Sequence, residues 1–385
     1  MRLKTQLAVA AAVLFGVSGA WAQGRNQPGG PTSSDSLLNP GYHHPLDPEI
    51  VYEPARAARA QALAAGSLDT LPTWTRTFTI SGKTYSAALV GTGPLTARAT
   101  VIPTVIVPIR LTVSDYSVNG KTPLVLDGTK VLNSVLGSPI FQTSPYSSGD
   151  LQFSDAMLRA EFPLAPGAWH TLFSPSVGPT LDIVAPAHSV RVYRAKSGKL
   201  LGIVRDDLVI DSAIYKALAQ FSPQSYVVFV TYNALEHDAF GYHAFVYGQK
   251  KSQAIVYTYT SWLEGVDDLF SVPSPDAATL AHEIAEVVHD PLITSVTLLW
   301  GDAFAKNRCF QRTIEVGDAI ENAPADVQLW EQTVGSGGDA RTFTLQNEAL
   351  LPWFERQTPS RAQGGAYSFP SVQALASAAP LTCVK

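Results

Sequence analysis

Residues 274–291 read S-P-D-A-A-T-L-A-H-E-I-A-E-V-V-H-D-P, and four side chains in this segment can do chemistry: His282, Glu283, Glu286 and His289. His282 and Glu286 are four apart. On a helix this spacing projects both from one face, one turn apart, so two ligands reach one ion without bending the backbone. The spacing matches the metal-binding pattern H-E-x-x-H, with Glu286 where the second histidine usually stands. A catalytic zinc takes three protein ligands and leaves a fourth position for water. The carboxylate beside the first ligand, Glu283, is then the general base that takes a proton from that water. A glutamate ligand adds negative charge and makes the ion a weaker Lewis acid. It widens the choice of cofactor from zinc to manganese or calcium.

The third ligand must come from another part of the chain. Glu315 and Asp318, in T-I-E-V-G-D at 313–318, are the best candidates, with Glu315 as ligand and Asp318 orienting a ligand or joining the shell. They lie far enough beyond Glu286 for a loop to return to the helix. Asp302 is a weaker candidate. His243, in Gly241-Tyr242-His243, stands behind the ligands, faces a substrate oxyanion, or is structural. His289 is a spare ligand, a group behind the ligands, or a histidine favoured by the helix C-terminal dipole. Glu286-x-x-His289 is also half of a di-iron carboxylate site, but no second Glu-x-x-His occurs and the chain reads as mainly β. The bland alternative is that His282 and the glutamates form a solvated stripe. Against it, Leu280, Ile284, Val287 and Val288 make the rest of the helix strongly apolar, which suits a buried helix with its polar stripe facing a cleft.

The elements that must position these residues are marked in the sequence. Ser274 suits an N-cap and Pro275 the first helical position; Pro291 stops the helix. Before it, Tyr226–Tyr232, Gly241–Tyr247 and Ala254–Trp262 read as strands, and 211–221 as an amphipathic helix. Arg76–Ile80 and Thr84–Val90 flank a hairpin turn at 81–83. Val101–Val113 is a β-branched run that Pro103 and Pro108 demote to an edge or bent strand. Short helices are expected within 125–160. Thr342–Gln346 is a late strand, and 357–385 reads as a surface tail.

The chain has 385 residues, of which 15% are charged, and a net charge of −5. Low charge with many Val, Thr, Tyr, Gly and Pro residues suits an exported β-rich protein. Arg2, Lys4, the apolar run Leu7–Val17 and Ala20-Trp21-Ala22 read as a signal peptide over 1–22, with Gln23 as mature start. Its removal takes two of the 27 basic residues, leaving 25 against 32 acidic ones. That balance, without a Lys/Arg cluster, argues against a nucleic-acid partner. No later stretch is long and apolar enough for stable membrane insertion, so the expected location is secreted or periplasmic. Residues 23–70 form a linker, including His43-His44, and a short Ala-rich helix. In an exported chain the two cysteines, Cys309 and Cys383, suggest one disulfide, the alternative being a metal-bound or reactive thiol.

With H-E-I-A-E-V-V-H-D-P, E-V-G-D and the preceding G-Y-H in place, the chain resembles the plant EXORDIUM or phosphate-induced proteins and their bacterial relatives. The order of motifs carries the resemblance over roughly residues 225–356. It departs after Asp318, where Ala319-Ile320 stand in place of the family's cysteine. The resemblance implies an exported protein with a zincin-like metal helix. The expectation is therefore a single α+β domain over 71–356, with a mixed β-rich sheet against the zincin-like helix. Its function is a metal-dependent hydrolase, peptidase-like, acting on a peptide or protein substrate. The alternative is a non-catalytic cell-surface protein with a structural metal. No G-x-S-x-G signature supports a serine hydrolase.

Overall fold

The computed structural model describes residues 38, 53–116, 123–237, 239–305 and 311–381. The expected signal peptide, His43-His44, Cys309 and Cys383 lie outside the described residues. The expected Ala-rich helix spans Glu53–Ala64.

The fold is mixed α+β, built on a seven-stranded sheet. Its strands are β1 (Ala99–Ser114), β2 (Leu124–Asp127), β3 (His170–Val177), β4 (Leu181–Pro186), β5 (Tyr226–Tyr232), β6 (Gly241–Tyr247) and β7 (Ala254–Trp262). β5 is parallel to β1 on one side and β7 on the other, and β6 adds antiparallel to β7. β3 and β4 share the other edge of β1, both in parallel, while β2 pairs antiparallel with Arg110–Val113.

The long β1 is thus central, which overturns the edge alternative of the expected edge or bent strand. The β5 ladder begins at Thr104, just past Pro103. The β3 ladder ends at Ile106 and the β4 ladder begins at Ile109, so Pro108 falls between them. Both prolines sit where a missing N–H costs the sheet least.

The sheet is covered on both faces, which explains the near-continuous apolar run of β5. Tyr226, Val228 and Val230 join one core; Val227 and Phe229 join the other. The second core holds Ile210, Ile214 and Leu218 of α2 (Asp207–Leu218). This helix starts four residues earlier than expected because Asp206 caps it, accepting a hydrogen bond from the Leu208 amide at 3.2 Å. The first core holds the helix that bears the metal-binding pattern.

That helix, α3, spans Ala278–His289. It packs on β6, β7, the hairpin strand Lys83–Val90, the strand Arg341–Gln346, and α1 (Phe153–Glu161). Its C-terminus is as expected, with Asp290-Pro291 ending it. Its N-terminus is not. Ser274 does not cap it: its hydroxyl lies 2.8 Å from that of Thr279, and Asp276 adopts a left-handed φ of 40°. The Asp276 carboxylate accepts instead from the Thr344 amide at 2.8 Å, tying the helix start to the Arg341–Gln346 strand.

The expected surface tail is also corrected. Within 357–381, Tyr367, Phe369, Leu375 and Ala379 are buried in the first core. Phe369 packs against Tyr146 and Phe153 in tilted ring contacts, with ring centroids 5.3 and 5.9 Å away. Ser368–Phe369 also pairs with Glu348–Ala349 as a short antiparallel ladder. Three aromatic rings outweigh the polar, proline-rich composition that suggested a solvated segment.

Candidate metal centre

α3 delivers His282, Glu283 and Glu286, with 0%, 0% and 3% exposure. β6 delivers His243. Along this strand Tyr242, Ala244 and Val246 face the core that holds α2, whereas His243 and Phe245 alternate to the α3 side. The E-V-G-D segment follows the short strand Gln311–Thr313 and is anchored by its buried alternate residues, Ile314 and Val316. The Val316 carbonyl accepts from the Ala349 amide at 2.9 Å, and that of Gly317 from the Gln346 side chain at 2.9 Å. Glu315 and Asp318 are thereby brought to the helix.

His282 Nε2 lies 3.2 Å from Glu286 Oε1 and 3.5 Å from Asp318 Oδ1. Two ligands at ~2.1 Å from a tetrahedral zinc stand about 3.4 Å apart, so this trio suits one ion. The residues form a His/Glu/Asp group that could hold a metal ion. Gln311 donates to Asp318 Oδ2 at 2.7 Å, which leaves Oδ1 turned to His282. The Gly317 amide donates to Glu286 Oε1 at 3.2 Å.

On the other side of Glu286, His243 Nδ1 lies 3.2 Å from Oε2 and 3.8 Å from Glu283 Oε2. His243 Nε2 faces Glu315 Oε2 at 3.8 Å. The structure therefore groups Asp318 with His282 and Glu286, while Glu315 reaches His243 rather than that trio. His243 and Glu315 are the members nearest solvent, with side chains 5% and 11% exposed.

Two glycines let the pieces close. A Cβ on Gly317 would stand 2.2 Å from His282 Nδ1. One on Gly241 would meet Thr279 at 2.6 Å and Glu283 Oε1 at 3.0 Å.

The electrostatics are unbalanced. Glu283, Glu286, Glu315, Asp318 and Glu348 set five carboxylates around His243 and His282, and no lysine or arginine among the described residues is buried. Burial pushes the Glu283 carboxyl up to about 7. It drives Glu315 and Glu348 well above the carboxylate range. Burial opposes charge on Glu286 too, but His282 and His243 hold it below that range. Burial likewise opposes charge on both imidazoles, yet Glu286 beside His282, and Glu315 and Glu283 beside His243, raise them well above the usual histidine value. So dense a buried negative set reaches neutrality only through protons or a cation.

His289 is outside the group. It is fully buried, with Nε2 3.0 Å from Glu161 Oε2 and Nδ1 2.7 Å from the Ala285 carbonyl. Asp302 is also spent elsewhere: it accepts from the amides of Phe304 and Ala305 in its own loop and from that of Asn322, twenty residues on. Sequence reasoning missed Glu348, which is 0% exposed and has no hydrogen-bond partner on either oxygen. It belongs to no motif, and only its pairing beside the 368–369 strand places it here. Comparison with family models, with curated proteins and with solved structures gave no match.

Proposed function

We propose that this chain is an exported metal-dependent hydrolase, peptidase-like in its use of a zincin-type helix. His282, Glu286 and Asp318 hold zinc or a similar divalent ion, and Glu283 is the general base. One observation carries this reading. Glu283 follows a ligand directly, is fully buried, and has no hydrogen-bond partner on either carboxylate oxygen. A carboxylate with only a structural task would have its lone pairs satisfied.

When bound, zinc would lower the pKa of a water toward 7 and polarise a carbonyl. Glu283 takes the proton from the attacking water and returns it to the leaving group. Gln311 holds Asp318, and the Gly317 amide holds Glu286, so the ligand set stays fixed. His243 and Glu315, on the side nearest solvent, face the arriving substrate.

The near-complete burial of the group supports a second reading, a non-catalytic secreted protein with a structural ion. The two readings part at Glu283→Gln, assayed with a broad peptide library and added zinc or manganese. A hydrolase keeps its metal content and loses turnover, while Glu286→Ala loses metal. Full metal occupancy with no cleavage by the wild type decides for the structural ion.

A further inference from the structure

We infer that the centre has a second cation position, on the far oxygen of Glu286 between His243 and Glu283, so that one carboxylate bridges two ions. This rests on the reading of the group as a metal centre. The ligand atoms fall into two sets, and within each set all lie within 4.8 Å of one another. One set is His282, Glu286 and Asp318; the other is His243, Glu283 and Glu286. Glu286 belongs to both and divides its oxygens between them, Oε1 at 3.2 Å from His282 Nε2 and Oε2 at 3.2 Å from His243 Nδ1.

The second set is more than a crowd of acids. Glu283 is fully buried, neither of its oxygens is hydrogen-bonded, and Oε2 turns toward His243 at 3.8 Å. Behind the imidazole, Nε2 points toward Glu315 Oε2 at 3.8 Å, an ionic approach beyond hydrogen-bond distance that leaves Nδ1 on the side of Glu283 and Glu286. One imidazole and two carboxylates suit zinc or manganese. A shared carboxylate holds two ions roughly 3.5–4 Å apart.

The position has a consequence for the proposed chemistry. An ion there makes Glu283 a ligand, so its carboxylate can no longer accept a proton. The second ion is therefore inhibitory: metal stimulates turnover at low concentration and suppresses it in excess.

The test is direct and does not need activity. The full chain is stripped with chelator and titrated with zinc; bound metal is measured by elemental analysis. Crystals soaked at low and high zinc are mapped by anomalous scattering. The expected result is one ion at low zinc and two at high zinc, with both peaks on Glu286. His243→Asn removes the second ion and keeps the first. Wild type that saturates at one ion overturns the inference and leaves the metal centre standing; two ions in His243→Asn also overturn it. No ion at any concentration overturns both readings. If His243→Asn fails to fold, the wild-type anomalous map decides alone.

Discussion

Gly317→Ala should cripple the metal group through one methyl. The added Cβ would stand 2.2 Å from His282 Nδ1, 2.4 Å from Cε1 and 2.7 Å from Cγ, whereas ordinary contact begins at 3.4 Å. The ring or the loop must therefore yield by about 1.2 Å, while metal–ligand distances tolerate only ~0.2 Å. The loop is not free to move, because the Gly317 amide is bonded to Glu286 and its carbonyl to Gln346. Overpacking of this kind costs about 1–3 kcal/mol in the metal-free protein. The larger effect is on linkage. An ion at 100 times its Kd stabilises the wild type by ~2.7 kcal/mol, and the variant should lose most of that increment. Thermal melts with zinc and with chelator measure both quantities. Gly167→Ala is the control, since a Cβ there meets nothing within 4 Å. A Gly317→Ala protein with the wild-type zinc shift would show that His282 is not seated against this loop.

Two further perturbations probe the frame around the centre. Burial opposes charge on His289, but Glu161 beside it raises its pKa. A raised histidine contributes its full stability below its unfolded value of ~6.5 and loses it as pH rises through the folded value. Glu161→Gln should therefore cost most stability below about pH 6.5, with the gap to wild type closing as pH rises above that in urea unfolding; a gap that widens with pH would contradict the pairing. Phe369→Ala should cost about 3–5 kcal/mol, because it opens the Tyr146–Phe153–Phe369 ring cluster and frees the strand beside Glu348. A midpoint within error of wild type would restore the original expectation of a solvated tail.

What was legible in the sequence followed local rules. Tyr226–Tyr232, Gly241–Tyr247 and Ala254–Trp262 form with the expected bounds, because β-branched and aromatic residues there run between turn signals. Helical spacing placed His282 and Glu286 on one face. What was missed depends on partners distant in sequence. Ser274 looked like a cap until Thr279 and the Arg341–Gln346 strand competed for its neighbourhood. Pro103 and Pro108 looked like edge markers because no local pattern reveals where three neighbouring ladders start and stop. His243 was read as a group behind the ligands, one facing an oxyanion, or a structural residue; its alternation with Tyr242 and Ala244, which face the other core, sets it on the α3 side. Glu348 carries no signal of its own, since its burial is created by residues 368–369 returning to cover it.

The central claim is that this buried group of imidazoles and carboxylates is built for a cation. Elemental analysis of the purified full chain, after dialysis against metal-free buffer and again after titration with zinc, manganese and calcium, tests it most directly. The account predicts at least about one tightly held divalent ion, lost in His282→Ala and in Asp318→Ala. A folded wild-type protein that retains no metal and takes up none of the three would contradict it.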